Sequence, residues 1–322
     1  MTHYNIYNFL NVTSTIKGLF PSTFIADANN YSDLNISIDK SITHSLLKQE
    51  ATEIMPGIYV LKEGDKILAQ FKILGITIAI LATFHGEQIT LQFSPSFYQL
   101  SRIILKMPIA SLFPLEHFVK LITQILLLKK NYSFIIAAGL MTKPHQSILL
   151  SSFGGIGKTT TCLKLFDSAA DYSLLGDDTL ITDGQKIWSY PKNFRLRKLG
   201  NIFFSLEKNI SPEQQFPGKK IGGVAWPKYL FLLEKGPANT VQPITAAQAS
   251  VKFLAIQNKI LNLYAERIIL AGSHQNLLDL PLLMERQKKI VEQLVTQTHN
   301  FIVQARQAQD FNRLITIQLI NS

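Results

Sequence analysis

Disulfide bonds cannot staple this chain, because its 322 residues include a single cysteine, Cys162. Sparse thiols fit a reducing compartment, and the expected location is the cytoplasm. Metal-cluster spacing is also lacking: the seven histidines are scattered, with no His-Glu-x-x-His pattern. Charge is scarce, with Asp, Glu, Lys and Arg together making 17% of residues. The lysines fall in separate doublets, such as Lys129-Lys130, Lys219-Lys220 and Lys288-Lys289, which read as solvated faces. A net charge of +10 favours an anionic partner. No helix-turn-helix, zinc-finger or aromatic-basic signature accompanies it, so nucleic acid is not the expected partner. Long apolar runs are missing too. The longest, 73–84, is too short to cross a bilayer as a helix, and no membrane association is expected. Its β-branched residues and Gly75 predict a buried strand. The first residues lack a basic stretch followed by an apolar one, so a secretory leader is not expected.

Hydrophobic residues are plentiful at 47%, enough for one large domain or two. Residues 1 to about 93 read as strands: 34–39 alternates, 57–62, 66–73 and 76–84 are runs parted by turn residues, and 88–93 alternates again. Helices are predicted over 97–105 and 115–128, the second behind Pro114. Apolar strands follow at 134–140 and 147–151. Further on, 179–182 and 186–189 flank Asp183-Gly184 as a hairpin. A core strand is predicted over 226–234, a helix capped by Thr245 over 245–254, and a long helix over 280–298. A last strand at 301–305 and a last helix at 310–320 close the pattern.

The strand 147–151 runs into Ser152-Phe153-Gly154-Gly155-Ile156-Gly157-Lys158-Thr159-Thr160. Glycines let backbone N–H groups converge on a polyphosphate where side chains would obstruct it. The helix that starts there adds unpaired N–H groups and its positive dipole end. A lysine at position 158 can reach β- and γ-phosphates, and Thr159 can ligate Mg²⁺. The usual phosphate-loop pattern has glycine where this chain has Ser152. The bland alternative is a chance Gly-Lys-Thr in an ordinary strand–turn–helix; the strand before and the helical spacing of Leu163 and Phe166 after argue against it.

A second apolar run, 172–175, ends in Gly176-Asp177-Asp178. Hard Mg²⁺ prefers oxygen ligands, and two neighbouring carboxylates repel, so that one can titrate upward and serve as a base. Read alone, the same residues equally suit a turn between two strands. Cys162, just beyond the loop, reads as a small packed residue, although a place near a helix N-terminus can lower a thiol pKa.

The order of these parts resembles the HPr kinase-related group of P-loop proteins. It is carried by the loop, Gly176-Asp177-Asp178, the hairpin, Tyr190-Pro191-Lys192-Asn193-Phe194-Arg195-Leu196-Arg197, and the ending Phe301-Ile302-Val303-Gln304-Ala305 with Asp310 beyond. It covers about 134 to 320, and is only topological before that. The resemblance implies an α/β fold: a P-loop, phosphoenolpyruvate carboxykinase-like mixed sheet with helices over 131–322, preceded by a β-rich N-terminal region over 1–130. It implies ATP and Mg²⁺ as cofactors. Phe153, Gly154, Gly155, Ile156, Gly157, Lys158, Thr159 and Thr160 would surround the nucleotide. The catalytic set would be Lys158, Asp177 and Asp178. Thr159 and Asp178 would hold the metal and Asp177 would activate the acceptor hydroxyl, with the division between the two carboxylates left open. Arg195 and Arg197 would support substrate or phosphate, or else form surface ion pairs. The implied activity is phosphoryl transfer to a hydroxyl, on serine of a protein or peptide or on a small molecule such as free serine. The alternative is a nucleotide-binding regulatory or accessory protein without turnover. Relatives form homo-oligomers, so self-association is admitted. Many carry a histidine on the strand before the loop. The matching position here is Ile136, with His145 in a turn, so a mechanism needing that histidine, including reverse phosphate removal, is not implied.

Overall fold

The computed structural model describes residues 1–42, 51–73, 75–104, 115–192, 194–197, 207–258 and 263–321. The chain is mixed α/β, with two large mixed sheets. It divides into two units. The first holds Met1–Lys130, Arg195–Lys208 and Leu261–Leu283; the second holds Asn131–Phe194, Asn209–Ile260 and Met284–Ser322.

The first unit is built on strands β1 (Thr2–Ile6), β2 (Leu10–Ser14), β3 (Ile25–Ala26), β4 (Leu34–Ile38), β5 (Ala51–Met55), β6 (Ile58–Leu61), β7 (Lys66–Ile73), β8 (Ile76–His85) and β9 (Gln88–Phe93). They lie in the order β3-β1-β2-β4-β9-β8-β7-β6-β5. Helices α1 (Pro95–Ile104) and α2 (Leu115–Lys129) follow. The long apolar run becomes β8, buried from Ile78 to Phe84 apart from its ends. Phe93 stacks on Phe97 at 5.3 Å and meets Phe118 edge-on at 5.8 Å, so β9, α1 and α2 share one core. Among the described residues no helix is long and apolar enough to cross a membrane.

The second unit begins with β10 (Ser133–Ile136), β11 (Ala138–Thr142) and β12 (Gln146–Ser151), then α3 (Lys158–Ser168). Next come β13 (Ser173–Gly176), β14 (Thr179–Thr182) and β15 (Ile187–Trp188). In chain order, a two-stranded ribbon of β16 (Phe194–Arg197) and β17 (Glu207–Ile210) precedes the short α4 (Pro212–Gln215). Then follow β18 (Lys220–Ile221), β19 (Val224–Lys235), β20 (Thr240–Pro243) and α5 (Ala246–Gln257). After α6 (Leu263–His274), which belongs to the first unit, α7 (Leu280–Thr296), β21 (His299–Ala305) and α8 (Ala308–Ile320) complete the chain.

The ten-stranded sheet of this unit runs β10-β14-β15-β19-β12-β11-β13-β18, with β21 joined to β19 and β20. Its central strands are apolar on both faces because both faces are covered. Along β12, Ile148 and Leu150 pack in one core with Cys162, Leu165, Phe311 and Ile315 of α3 and α8. Leu149, between them, packs in the opposite core with Phe253 of α5 and Leu294 of α7. Each large apolar side chain so buried contributes roughly 1.5–3 kcal/mol. A strand buried on both sides reads as a continuous apolar run instead of an alternation.

The single strand predicted over 134–140 is two strands interrupted at Ala137. β10 pairs with β14, whereas β11 lies between β12 and β13. The break is held by side chains: Ile136 N–H donates to Gln257 Oε1 at 2.6 Å, and Ser151 Oγ donates to the Ile136 carbonyl at 2.6 Å. Backbone groups that leave a ladder in a buried place need such substitutes.

Candidate active site

Strand order explains how residues twenty positions apart meet. β11 is antiparallel to both β12 and β13. The two flanking strands therefore point the same way and end at one edge of the sheet. At that edge β12 releases the glycine loop and β13 releases Gly176-Asp177-Asp178.

The loop at 152–157 turns directly into α3. Gly157 sits at the helix N-cap with φ 117°, a conformation only glycine adopts cheaply. A Cβ there would also lie 2.8 Å from the Ala308 Cβ, so the position needs glycine to let α8 approach α3. Phe153, Gly154 and Gly155 are exposed at the loop tip, Ile156 is half-buried, and Thr160 is exposed on the first turn. The first helical bond runs from Thr161 N–H to the Gly157 carbonyl at 2.9 Å. The N–H groups before it have no intrahelical acceptor, which leaves a positive end of the helix at the loop. Ser152, where the phosphate-loop pattern has glycine, is buried, and its hydroxyl has no hydrogen-bond partner among the described residues.

Lys158 is the first residue of α3 and only 8% exposed. Its Nζ lies 2.5 Å from Asp178 Oδ1 and 3.4 Å from the Asp177 carbonyl oxygen. Thr159 Oγ1 donates to the same carbonyl at 3.1 Å. Asp178 is exposed, so the pair is buried at the lysine end and open at the carboxylate end. Gly176 makes this tight turn feasible: a Cβ would stand 2.8 Å from the Thr179 carbonyl oxygen and 3.2 Å from that of Tyr190.

The two carboxylates are not equivalent. Burial, and next the negative charge of Asp178, raise the Asp177 carboxyl to about 6; Lys158, its own N–H and Lys192 pull the other way. Cys162 is fully buried, and burial with the nearby Asp177 charge pushes its thiol upward despite Lys158. Helix-end activation is therefore outweighed, and Cys162 is a packed core residue.

The structure thus brings Lys158, Thr159, Asp177 and Asp178 together. Arg195 and Arg197 fall on β16 by their backbone, and their side chains lie outside the described residues. Three contributors are not among the expected site residues: Lys192, whose charge acts on Asp177, and Gln257 and Ser151, which bind the Ile136 peptide. Lys192 stands three residues before Arg195 in the same basic stretch, which is the one hint of it in the sequence. Gln257 is drawn in only by the packing of α5. His145, with φ 64°, sits in the turn between β11 and β12, as its neighbours Lys143-Pro144 predict. Among the described residues no three or more His, Cys, Asp or Glu side chains group as a metal site. Neither the protein-family models nor the curated proteins include a match to this chain.

Proposed function

We propose that the protein is an ATP- and Mg²⁺-dependent kinase that transfers a phosphoryl group to a hydroxyl. The observation that carries this reading is the contact of Lys158, from the glycine-loop helix, with Asp178 at the end of a parallel-running strand, 2.5 Å apart. The reading is supported by the contacts of Lys158 with Asp178 and of Thr159 with the Asp177 carbonyl, and by the raised pKa of the Asp177 carboxyl: these are groups suited to phosphate, to a metal and to a proton.

The donor set fits the groups it would hold. Mg²⁺ keeps several water and phosphate ligands and needs only one or two from protein, which Asp178 and Thr159 supply as hard oxygens. Glycines at 154, 155 and 157 bare the backbone amides for the phosphates. When bound, the metal and nucleotide supply the activated phosphoryl group and charge neutralisation.

The chain's own part is to bind, orient and move one proton. Lys158 would turn from Asp178 to the phosphate oxygens, and the Asp178 carboxylate would help hold the metal. Asp177 is ionised above about pH 6 and accepts the acceptor hydroxyl proton. Burial of Lys158 strengthens its contact with an anion. The acceptor class is a serine-bearing protein or peptide, or a small hydroxyl compound.

Two variants test the reading. Lys158→Ala abolishes both ATP binding, measured by calorimetry, and label transfer from γ-labelled ATP to acceptors in cell extract. Asp177→Asn keeps ATP binding within a few-fold and loses transfer by about 10²-fold or more, as expected for loss of a positioned base. Full activity in either variant refutes the assignment. Saturable ATP binding by the unaltered protein without transferred label favours a nucleotide-sensing regulator.

A further inference from the structure

Lys192 is a half-buried lysine for which the loop chemistry has no use. The segment presenting it is anchored on two sides. Ser189 N–H donates to the Gly223 carbonyl at 3.0 Å, and Ser189 Oγ accepts from Gly223 N–H at 3.2 Å. Tyr190 N–H donates to the Leu175 carbonyl at 2.8 Å, which ties the segment to the last residues of β13. The Tyr190 ring is buried edge-on against Phe134 at 5.0 Å, and Pro191, next in the chain, is buried as well. The Tyr190 carbonyl passes over Gly176, where a Cβ would lie 3.2 Å from it.

This anchor fixes the chain two residues before Lys192 against Leu175 and Gly176, directly ahead of Asp177, and it does so from the β15–β16 connection, an element separate from the loop helix that carries Lys158. The Lys192 Nζ stands 5.6 Å from the Tyr190 ring centroid, a weak hold. No carboxylate lies within ion-pair distance of it among the described residues. Lys158, by contrast, is committed to Asp178. An ammonium carried two residues beyond this anchored stretch, whose charge acts on Asp177 and which has no ion-pair partner among the described residues, is available to an anion from outside the protein.

We propose that Lys192 is a catalytic residue whose ammonium contacts the phosphoryl group as it passes from the nucleotide to the acceptor oxygen. The inference rests on the kinase reading. In the transfer, the acceptor oxygen–phosphorus bond forms while the bond from phosphorus to the β–γ bridging oxygen breaks. That electron pair leaves with ADP, and the acceptor proton goes to Asp177. The phosphoryl charge moves away from the loop amides and toward the Asp177 carboxylate, which repels it. A cation on the Asp177 flank offsets that repulsion at the moment it arises, and so acts on the transition state more than on bound ATP.

The test needs no knowledge of the acceptor. Full-length protein, wild type and variant, is titrated with MgADP alone and with MgADP plus aluminium fluoride, which imitates the phosphoryl group in flight. Lys192→Gln is expected to keep ADP affinity within about twofold and to lose about 10²-fold in retention of the ADP–fluoride complex, the scale of one transition-state donor. Lys192→Arg is expected to recover part of that loss. The proposal is overturned if Lys192→Gln traps the complex as tightly as wild type. It is equally overturned if ADP and the fluoride complex weaken by the same factor, or if wild type binds ADP but traps no fluoride complex. Failure of wild type to bind ADP or ATP at all is a different result, since it sinks the kinase reading itself and this inference with it.

Discussion

Asp177→Asn has a consequence for stability that is independent of turnover. The Asp177 carboxyl titrates at about 6 in the folded chain against an ordinary value of 3.8, with burial the largest cause. Between those two pH values the folded state holds a proton that the unfolded state has lost. Stability therefore falls as pH rises through that window, and above about pH 6 the burial penalty is complete. At about 1.4 kcal/mol per pH unit of separation, the full penalty is about 3 kcal/mol. Asp177 is partly exposed, and solvent reduces that figure to about 2 kcal/mol. Asparagine is neutral at every pH. Asp177→Asn should stabilise the second unit by about 2 kcal/mol at pH 8 and by almost nothing at about pH 3.5. Urea unfolding followed by tryptophan fluorescence measures this cleanly, because both tryptophans, Trp188 and Trp226, lie in the second unit. Equal stabilities at pH 8, or a less stable variant, would show that burial does not govern Asp177. The same ionisation sets the rate: transfer should rise with pH through about 6 and then level off, since a protonated Asp177 cannot accept the hydroxyl proton.

Two structural predictions bear on the frame around the site. Gly157→Ala forces a Cβ to 2.8 Å from Ala308 at a backbone φ of 117°, and should cost roughly 1–3 kcal/mol, measured by urea unfolding, while weakening ATP binding through displacement of α3. Unchanged stability would mean that α8 gives way freely. Lys219 Nζ donates to the carbonyls of Phe166, Asp167 and Ala169 at 2.6, 3.0 and 3.1 Å, closing the C-terminal end of α3. Lys219→Ala should cost about 1–2 kcal/mol and speed amide exchange in the last turn of that helix, with no change in ADP affinity.

Local features are legible in the residues alone. A bare glycine run followed by Lys158 and Thr159 makes a loop and a helix start because backbone freedom and helix entry are properties of neighbouring residues. The apolar runs at 147–151 and 226–234 fall in β12 and β19, whose buried stretches, such as 230–233, are covered on both faces and need apolar side chains throughout. The pair Asp177-Asp178 is visible as a cluster of acid, though its asymmetry is not, because burial depends on what packs around it. Other expectations meet contacts that are distant in sequence. The run 134–140 reads as one strand by composition, yet Gln257, 121 residues away, and Ser151 satisfy its peptide at Ile136 and let it split. Arg195 and Arg197 stand out as basic residues, whereas Lys192, three positions before Arg195, gives no signal of its own and acts on Asp177.

Most elements, and the chemical groups they carry, follow from the order of residues alone, because helix starts, turns and strand burial are written in short-range pattern. The place of β11 between β12 and β13, antiparallel to both, comes from folding in three dimensions. That pairing turns two separate strand ends into one edge and puts Lys158 against Asp178. Strand order is set by contacts between residues far apart in the chain, and no local periodicity encodes it.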